Sequence, residues 1–363
     1  MRYIDEFRDP ALARALLGRI QARSTRPIRL MEFCGGHTHA ILRYGLRTLL
    51  PATVELRSGP GCPVCVTSNA DLDRAIALAG VPGLILTTFG DMIRVPGSRQ
   101  SLQEARAAGG DVRMVYSPLD ALHIARENPA RPVVFLGVGF ETTAPGVAAT
   151  ILQAEAEGLG NFSVLSLHKL TPPATRAILD AGEVALDGII GPGHVTTIIG
   201  ADAWSFLPSE YHVPVAIAGF EPLDILRAVA DLVDMSEEHR PAVANSYSRS
   251  VTRQGNPSAL AVMDRVFEVD AADWRGLGVV PASGLTIRGE LSQLDAARIF
   301  EPDPGPVREH TGCRCGDVLR GTVLPPECPL FGRACTPASP IGPCMVSSEG
   351  ACAAYHQFGQ DLL

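Results

Sequence analysis

Residues 133–158 read VVFLGVGFETTAPGVAATILQAEAEG and join a short, uniformly apolar run to a longer amphipathic stretch. Such an apolar run is typical of a strand that is buried on both faces, and the stretch that follows has the apolar spacing of a helix. Alternation of strands and helices of this kind is typical of βαβ units and therefore of parallel sheets.

The same alternation extends from about residue 27 to residue 235. We predict strands at 28–33, 53–58, 84–89, 112–116, 133–138, 162–167, 188–191 and 213–220. Helical patterns occupy 69–80, 145–158 and 221–234, and Ser68 or Asn69 can cap the first of them. The chain is therefore predicted to belong to the α/β class.

Two of the predicted strands end in the same tripeptide, Gly-Phe-Glu, at 139–141 and 219–221. This echo suggests an internal repeat, and the sequence ENPARP at 127–132 interrupts the pattern between the two copies. After about residue 236 the alternation stops. We predict two α/β domains of similar build with parallel sheets and a different C-terminal domain, with the boundaries 1–128, 129–235 and 236–363.

The bulk composition excludes several classes of function. The 363 residues carry a net charge of −8, and no basic stretch interleaves with aromatic residues, so nucleic acid is not expected as a partner. The opening residues MRYIDEFRDPALARALLGRI lack the apolar core of a signal peptide, and the most apolar runs are too short to cross a membrane. We expect a soluble cytoplasmic protein with no membrane partner.

The C-terminal segment carries cysteines at long intervals among many glycine and proline residues. Cys313, Cys328, Cys335 and Cys352 have the spacing C-x14-C-x6-C-x16-C. The segment has few large apolar residues, so disulfides or a metal must stabilise it, and in an intracellular protein the metal is favoured. Four thiolates suit a [4Fe–4S] cluster or zinc, and the lack of CxxC knuckles favours the [4Fe–4S] cluster and thus a C-terminal iron–sulfur domain.

Two further cysteines, Cys315 and Cys344, lie within the same segment. They are surplus to a four-thiolate site, so we predict that they form a redox pair close to the cluster. The alternative is that either of them is buried as a small apolar residue.

The first predicted strand leads into Cys34-Gly35-Gly36-His37-Thr38-His39. A thiol at a strand-to-helix turn lies near backbone N–H groups and the positive end of the helix dipole, so we expect its pKa to be lowered. The glycines allow a ligand to approach the backbone, and the N–H groups can hold an anion. His37 and His39 add nitrogen donors. The alternative is an inert cysteine with histidines that cap the helix.

A second thiol motif, GPGCPVC, follows the second predicted strand and contains Cys62 and Cys65. A CxxC pair at a helix start can undergo thiol–disulfide exchange, and it can also supply two metal ligands. The motif alone does not separate these two roles.

Other predicted strands also end in polar residues beside glycine. They are Asp91 with Arg94, Glu141, His168 with Lys169, His194 and Glu221. The carboxyl ends of parallel strands share one edge, so several of these residues are expected to meet the cysteines in one cleft. For each residue alone, capping or a loop hydrogen bond is at least as good an explanation. No Walker A or GxGxxG motif occurs, so nucleotide binding is not inferred.

Taken together, these motifs resemble the HypD family of [NiFe]-hydrogenase maturation proteins over nearly the whole chain. The resemblance rests on MEFCGGHTHAI, GPGCPVC, TTFGDMIRVPG, GFETTAP, GPGHVTTIIG, AGFEPLDIL and the C-terminal cysteines with CMVSSEGAC. It implies two α/β domains, a C-terminal [4Fe–4S] domain, and a scaffold with redox activity rather than a conventional enzyme. On this scaffold the Fe(CN)2CO group is assembled, with a HypC-type chaperone and with cyanide from a HypE-type donor.

The resemblance also implies roles for single residues. Cys34 would ligate the iron together with the terminal cysteine of the chaperone, and His37 would lie beside it. Cys62 and Cys65 would be a redox pair or additional iron ligands, and the four spaced cysteines would hold the cluster. We include Asp91 and Glu221 among the candidate site residues on the basis of their motifs.

Two other classes of protein remain open. One is a disulfide oxidoreductase of the ferredoxin:thioredoxin reductase type, in which Cys315 and Cys344 would be the dithiol beside the cluster. Such a reductase does not need the Cys34-Gly35-Gly36-His37 motif. The other is a binding module that zinc stabilises.

Overall fold

A computed structural model describes residues 5–359, and eleven strands lie within this range. The strands are β1 Ile28–Glu32, β2 Val54–Ser58, β3 Ile85–Thr88, β4 Asp111–Met114, β5 Val133–Gly137, β6 Phe162–Ser166, β7 Gly188–Pro192, β8 Val215–Ala218, β9 Val243–Asn245, β10 Phe267–Trp274 and β11 Gly278–Ile287. The first eight coincide with the eight predicted strands.

Helices connect and cover these strands. The α-helices are α1 Pro10–Arg23, α2 Gly35–Arg43, α3 Leu46–Leu49, α4 Pro63–Val66, α5 Asn69–Ala79, α6 Gly90–Ile93, α7 Leu102–Ala107, α8 Pro118–Glu127, α9 Ala144–Glu157, α10 Thr171–Ala181, α11 Gly193–Ile199, α12 Phe206–Glu210, α13 Pro222–Glu237, α14 Pro257–Val266, α15 Ala296–Ile299, α16 Cys315–Leu319 and α17 Ala351–Phe358. Short 3-10 helices lie at Asp5–Phe7, Ala201–Trp204, Gly289–Leu294, Pro325–Glu327 and Pro343–Met345.

Two parallel sheets form the α/β part of the molecule. The first sheet has the strand order β2-β1-β7-β8-β9, and the second has the order β4-β3-β5-β6. Within each sheet, the second strand along the chain lies outside the first, and the chain then crosses back to the other side. The two sheets therefore share one topology, and both belong to the predicted parallel class. The two Gly-Phe-Glu copies do not mark equivalent positions, because one follows β5, the third strand of its sheet along the chain, and the other follows β8, the fourth strand of its sheet.

The predicted domain boundaries are wrong as a division between the sheets. Residues 85–166 form the whole second sheet as an insertion between β2 and β7 of the first sheet. A boundary at 128/129 would therefore cut the second sheet, and β9 of the first sheet lies beyond residue 235. Hydrogen bonding between strands that are distant along the chain decides this partition, and the alternation of local patterns contains no information about it.

Local signals place individual helices well. The Ser68 side chain accepts a hydrogen bond from the Asp71 N–H at 3.2 Å, so Ser68 is the cap that begins α5. The apolar stripe of this helix, at Leu72, Ala75, Ile76 and Ala79, is buried.

The C-terminal part combines an antiparallel hairpin of β10 and β11 with an irregular segment that contains six cysteines. The buried cysteines of this segment belong to the same hydrophobic cluster as Cys62 and Cys65. Helix α17 of this segment packs against α2, where the rings of His39 and Phe358 meet edge to face at 5.0 Å. None of the helices that the structure describes is long and apolar enough to span a bilayer.

Candidate functional site

Cys34 lies at the carboxyl edge of the first sheet, at the point where the strand order reverses. It follows β1, which pairs with β2 on one side and β7 on the other, and it occupies the position just before α2. Crevices at such reversal points are the usual ligand sites of open parallel sheets. The Gly35 N–H donates to the Gly61 carbonyl at 3.0 Å, so the two thiol-containing loops touch.

The expected low pKa of Cys34 is wrong for the protein as described. Burial, followed by the nearby Glu349 charge, raises the pKa of this thiol to about 12. The N–H groups of Gly36 and His37 do act in the predicted direction, but their effect is smaller. The prediction considered the helix terminus alone, whereas the thiol is covered by a segment from the far end of the chain.

Glu32 is a buried carboxyl group beneath the Cys34 loop that sequence reasoning missed. It accepts a hydrogen bond from the Cys34 N–H at 3.0 Å and another from the Thr38 hydroxyl. Burial raises its pKa to about 8. The available signal was a charged residue within an otherwise apolar strand, immediately before the cysteine motif. Glu32 fixes the backbone that presents Cys34.

His37 is completely buried, and its imidazole lies 4.7 Å from the Phe220 ring in a stacked arrangement. Its Nε2 lies 3.0 Å from the Gly219 carbonyl, so this nitrogen carries the proton, whereas Nδ1 has no hydrogen-bond partner among the described residues. Burial lowers the pKa of His37 to about 4, so the ring is neutral at pH 7. His194 stacks against the same phenylalanine at 3.9 Å and thereby joins this site.

Cys62 and Cys65 form a disulfide at the start of α4. Their Cα atoms are 5.2 Å apart, and both residues are buried. A side chain on Gly61 would overlap the backbone of Phe33 and Cys34. The disulfide therefore lies next to the Cys34 loop in tight backbone packing.

The C-terminal segment closes over this edge of the sheet. Ser347 donates a hydrogen bond to the Asp91 carboxylate at 2.9 Å, which links the predicted Asp91 to this segment. The backbone of Glu349 lies so close to Gly35 that any side chain there would collide with it. Glu349 was also missed by sequence reasoning, although it lies within the SSEGAC motif.

Glu221 has a structural role in the described residues. Its carboxylate pairs with the Arg8 guanidinium through contacts of 2.5 and 2.9 Å at the start of α13. This ion pair is a loop contact of the kind left open as an alternative, and a role of Glu221 at the site stays a prediction.

The remaining strand-end residues belong to the second sheet. Glu141 accepts from the Thr171 N–H at 2.8 Å. Lys169 donates to the Asp273 carbonyl at 2.7 Å and pairs with Asp71 at 3.3 Å. The two Lys169 contacts link the second sheet to the β10–β11 hairpin and to α5.

All six cysteines of the C-terminal segment line one small cavity. They are Cys313, Cys315, Cys328, Cys335, Cys344 and Cys352. The Sγ atoms of Cys315 and Cys344 are 2.8 Å apart, and the Ile341 N–H donates to the Cys335 Sγ at 3.3 Å. Among the described residues, no three Cys, His, Asp or Glu side chains are already arranged as a metal site.

The chemistry of this cavity nevertheless fits a thiolate-bound metal centre. Its lining contains no carboxylate and no imidazole, and Leu330, Phe331 and Met345 supply apolar walls. An all-sulfur donor set in such surroundings suits an iron–sulfur cluster or zinc.

Comparison with known proteins places these features in one family. Residues 11–359 match the sequence model named HypD, described as "Hydrogenase formation hypA family". The hydrogenase maturation factor HypD of Azotobacter vinelandii is 53% identical over 369 residues, which cover 99% of this chain and 97% of the relative. The hydrogenase maturation factor HypD of Escherichia coli K12 is 45% identical over 368 residues, which cover 99% of each. The chain belongs to the HypD family.

Proposed function

We propose that this chain acts in hydrogenase maturation, as the scaffold and redox protein on which the Fe(CN)2CO group of [NiFe]-hydrogenases is assembled. The names and the close similarity of its relatives support the general role. The position of Cys34 supports the specific one, because a soft thiol ligand stands at the strand-order reversal, where the Gly36 N–H at the start of α2 acts on its sulfur.

In this proposal Cys34 is a ligand of the iron that is in transit. An iron that carries two cyanides is anionic, and the backbone N–H of Gly36 beside the Cys34 sulfur suits an anion. His37 is neutral and held by backbone carbonyls, so it can support the site without adding charge. A HypC-type chaperone would supply a second ligand and a HypE-type protein the cyanide.

Cys62 and Cys65 would be a redox pair that exchanges two electrons next to this iron. Conversion of their disulfide to two thiols takes up two electrons and two protons, and the reverse reaction releases them. The backbone contact between Gly35 and Gly61 keeps this pair beside the Cys34 loop. The two thiols can also become iron ligands in the reduced state.

Cys313, Cys328, Cys335 and Cys352 would hold a [4Fe–4S] cluster. Such a cluster supplies one-electron transfer when it is bound. Cys315 and Cys344 would be a redox pair beside it, and their 2.8 Å sulfur separation supports this role. The same separation also favours the second candidate function, a cluster-dependent disulfide oxidoreductase.

Infrared spectroscopy of Cys34→Ser, purified with its chaperone partner, separates the two functions. Serine keeps the size of the side chain but is a poor ligand for soft iron. We expect CN and CO stretching bands in the parent complex and none in the variant, while iron–sulfur absorbance is unchanged. Retention of both bands in Cys34→Ser would refute the iron-ligand role.

A further inference from the structure

A cavity of about 460 Å³ adjoins the cysteine segment, and both Cys313, a proposed cluster ligand, and Cys315 belong to its lining. Its lining includes Cys315, Arg275, Arg308, Glu309 and His310. The volume is in the range of small-molecule sites. A cavity lined by a cysteine and two arginines is suited to an anionic ligand that reacts with sulfur.

Arg275 is the fixed element of this cavity. Its side chain is only 8% exposed, with Nε donating to the Thr67 carbonyl at 3.1 Å and Nη2 to the Asn69 side chain at 2.6 Å. Its Nη1 lies 3.8 Å from the Glu309 carboxylate, which is 68% exposed. A guanidinium has five N–H donors, so capacity remains for an incoming carboxylate.

One residue of the proposed redox pair lines the cavity and the other does not. Cys315 is 5% exposed and belongs to the lining, whereas Cys344 is 1% exposed and does not, and their Sγ atoms are 2.8 Å apart. Gly342 keeps this approach open, because a Cβ there would lie 2.7 Å from the Cys313 Sγ and 3.5 Å from the Cys315 Cβ. A nucleophile that enters the cavity therefore meets Cys315 first.

We infer that this cavity is the access site for a small thiol that carries a carboxylate, which reduces the Cys315–Cys344 disulfide. The inference rests on the proposed redox role of these two cysteines. The thiolate of the incoming molecule attacks the Cys315 Sγ, a mixed disulfide forms, and the Cys344 thiolate leaves and takes up a proton. The thiolate of a second molecule then attacks the small-molecule sulfur of the mixed disulfide, and the Cys315 thiolate leaves and takes up a proton. Two small thiols are oxidised to one disulfide, and the protein disulfide becomes two thiols.

The test measures whether the cavity selects small thiols by their charge. The oxidised, cluster-bearing protein is treated under anaerobic conditions with 3-mercaptopropionate, 2-mercaptoethanol or cysteamine, which are similar in size but differ in charge. Alkylation at each time point followed by mass spectrometry gives the reduction rate of Cys315–Cys344 separately from that of Cys62–Cys65. Each rate is divided by the rate of the same thiol with a neutral small disulfide, which removes intrinsic differences between the thiols.

We expect the normalised rate for the anionic thiol to exceed that for the cationic thiol about five-fold at low salt, and to fall towards it as salt is added. Arg275→Gln should abolish the preference and Arg275→Lys should retain part of it. Because a buried arginine can be needed for folding, the exposed Glu309→Gln provides a second variant, which should increase the preference. Glu155→Gln, on the exposed face of α9, is the matched control and should change nothing.

Two outcomes overturn the inference, and they are distinguishable. If the disulfide is present but the three thiols reduce it at equal normalised rates, the cavity is not the access site of the reductant. The proposed redox pair would be unaffected by this result. Failure of Cys315 and Cys344 to become linked in the oxidised protein would overturn the pair and the access site together. Neither result affects the proposed iron ligation by Cys34, which the infrared bands report.

Discussion

At the scale of single residues, buried carboxyl groups behind the strand ends give the molecule a pH dependence that sequence motifs do not reveal. Glu141 is fully buried, and burial raises its pKa from 4.5 to about 7. The native state therefore binds a proton more tightly than the unfolded chain. The stability that comes from the protonated Glu141 carboxyl is fully present below about pH 4.5, and it is lost as the pH rises through 7.

We expect Glu141→Gln to gain stability relative to the parent protein by roughly 2–3 kcal/mol between pH 5 and pH 8, because the amide need not ionise. Urea unfolding of both proteins at the two pH values measures this difference. The exposed Glu155→Gln should show no such dependence. A parent–variant difference that stays constant with pH would contradict the burial of Glu141 as a titrating group.

At the scale of elements, the contact between the Cys34 loop and the CxxC loop is as close as backbone allows. A methyl group at Gly61 would overlap Phe33 and Cys34. We expect Gly61→Ala to destabilise the protein by about 1–3 kcal/mol through overpacking and to displace Cys34, which under the proposed function would also weaken iron retention.

The control for this substitution is Gly18→Ala, in the exposed middle of α1, where an added methyl group meets nothing within 4 Å. It should stabilise the protein by about 0.5–1 kcal/mol, since alanine is the better helix former. Thermal unfolding measures both changes. A neutral Gly61→Ala would show that the two loops can separate without cost.

At the scale of the whole molecule, the cysteine segment serves as the cover of the Cys34 site. Ser347 and Glu349 reach Asp91 and the Cys34 loop, and α17 packs against α2. If a cluster stabilises this segment, its loss should uncover Cys34.

We therefore expect Cys328→Ala to contain less iron and sulfide than the parent protein, and to have Cys34 alkylated faster, at least several-fold. Chemical analysis of iron and sulfide, together with mass spectrometry of alkylated peptides, measures both effects. Cys34→Ser, with the four proposed cluster ligands intact, serves as the control for sulfide content. Unchanged iron and sulfide in Cys328→Ala would rule out its role as a ligand.

The sequence by itself determined the α/β class, the eight strands of the βα units, the start of α5 at Ser68 or Asn69 and the family, because these depend on local patterns and on motif identity. Only the tertiary structure decided how the strands divide between two sheets, since hydrogen bonds join β1 to β7 across the inserted second sheet. It also decided the environment of Cys34. Helix-terminal amides act locally and were predictable, but the burial and the Glu349 charge that outweigh them come from a segment more than 300 residues away in the chain.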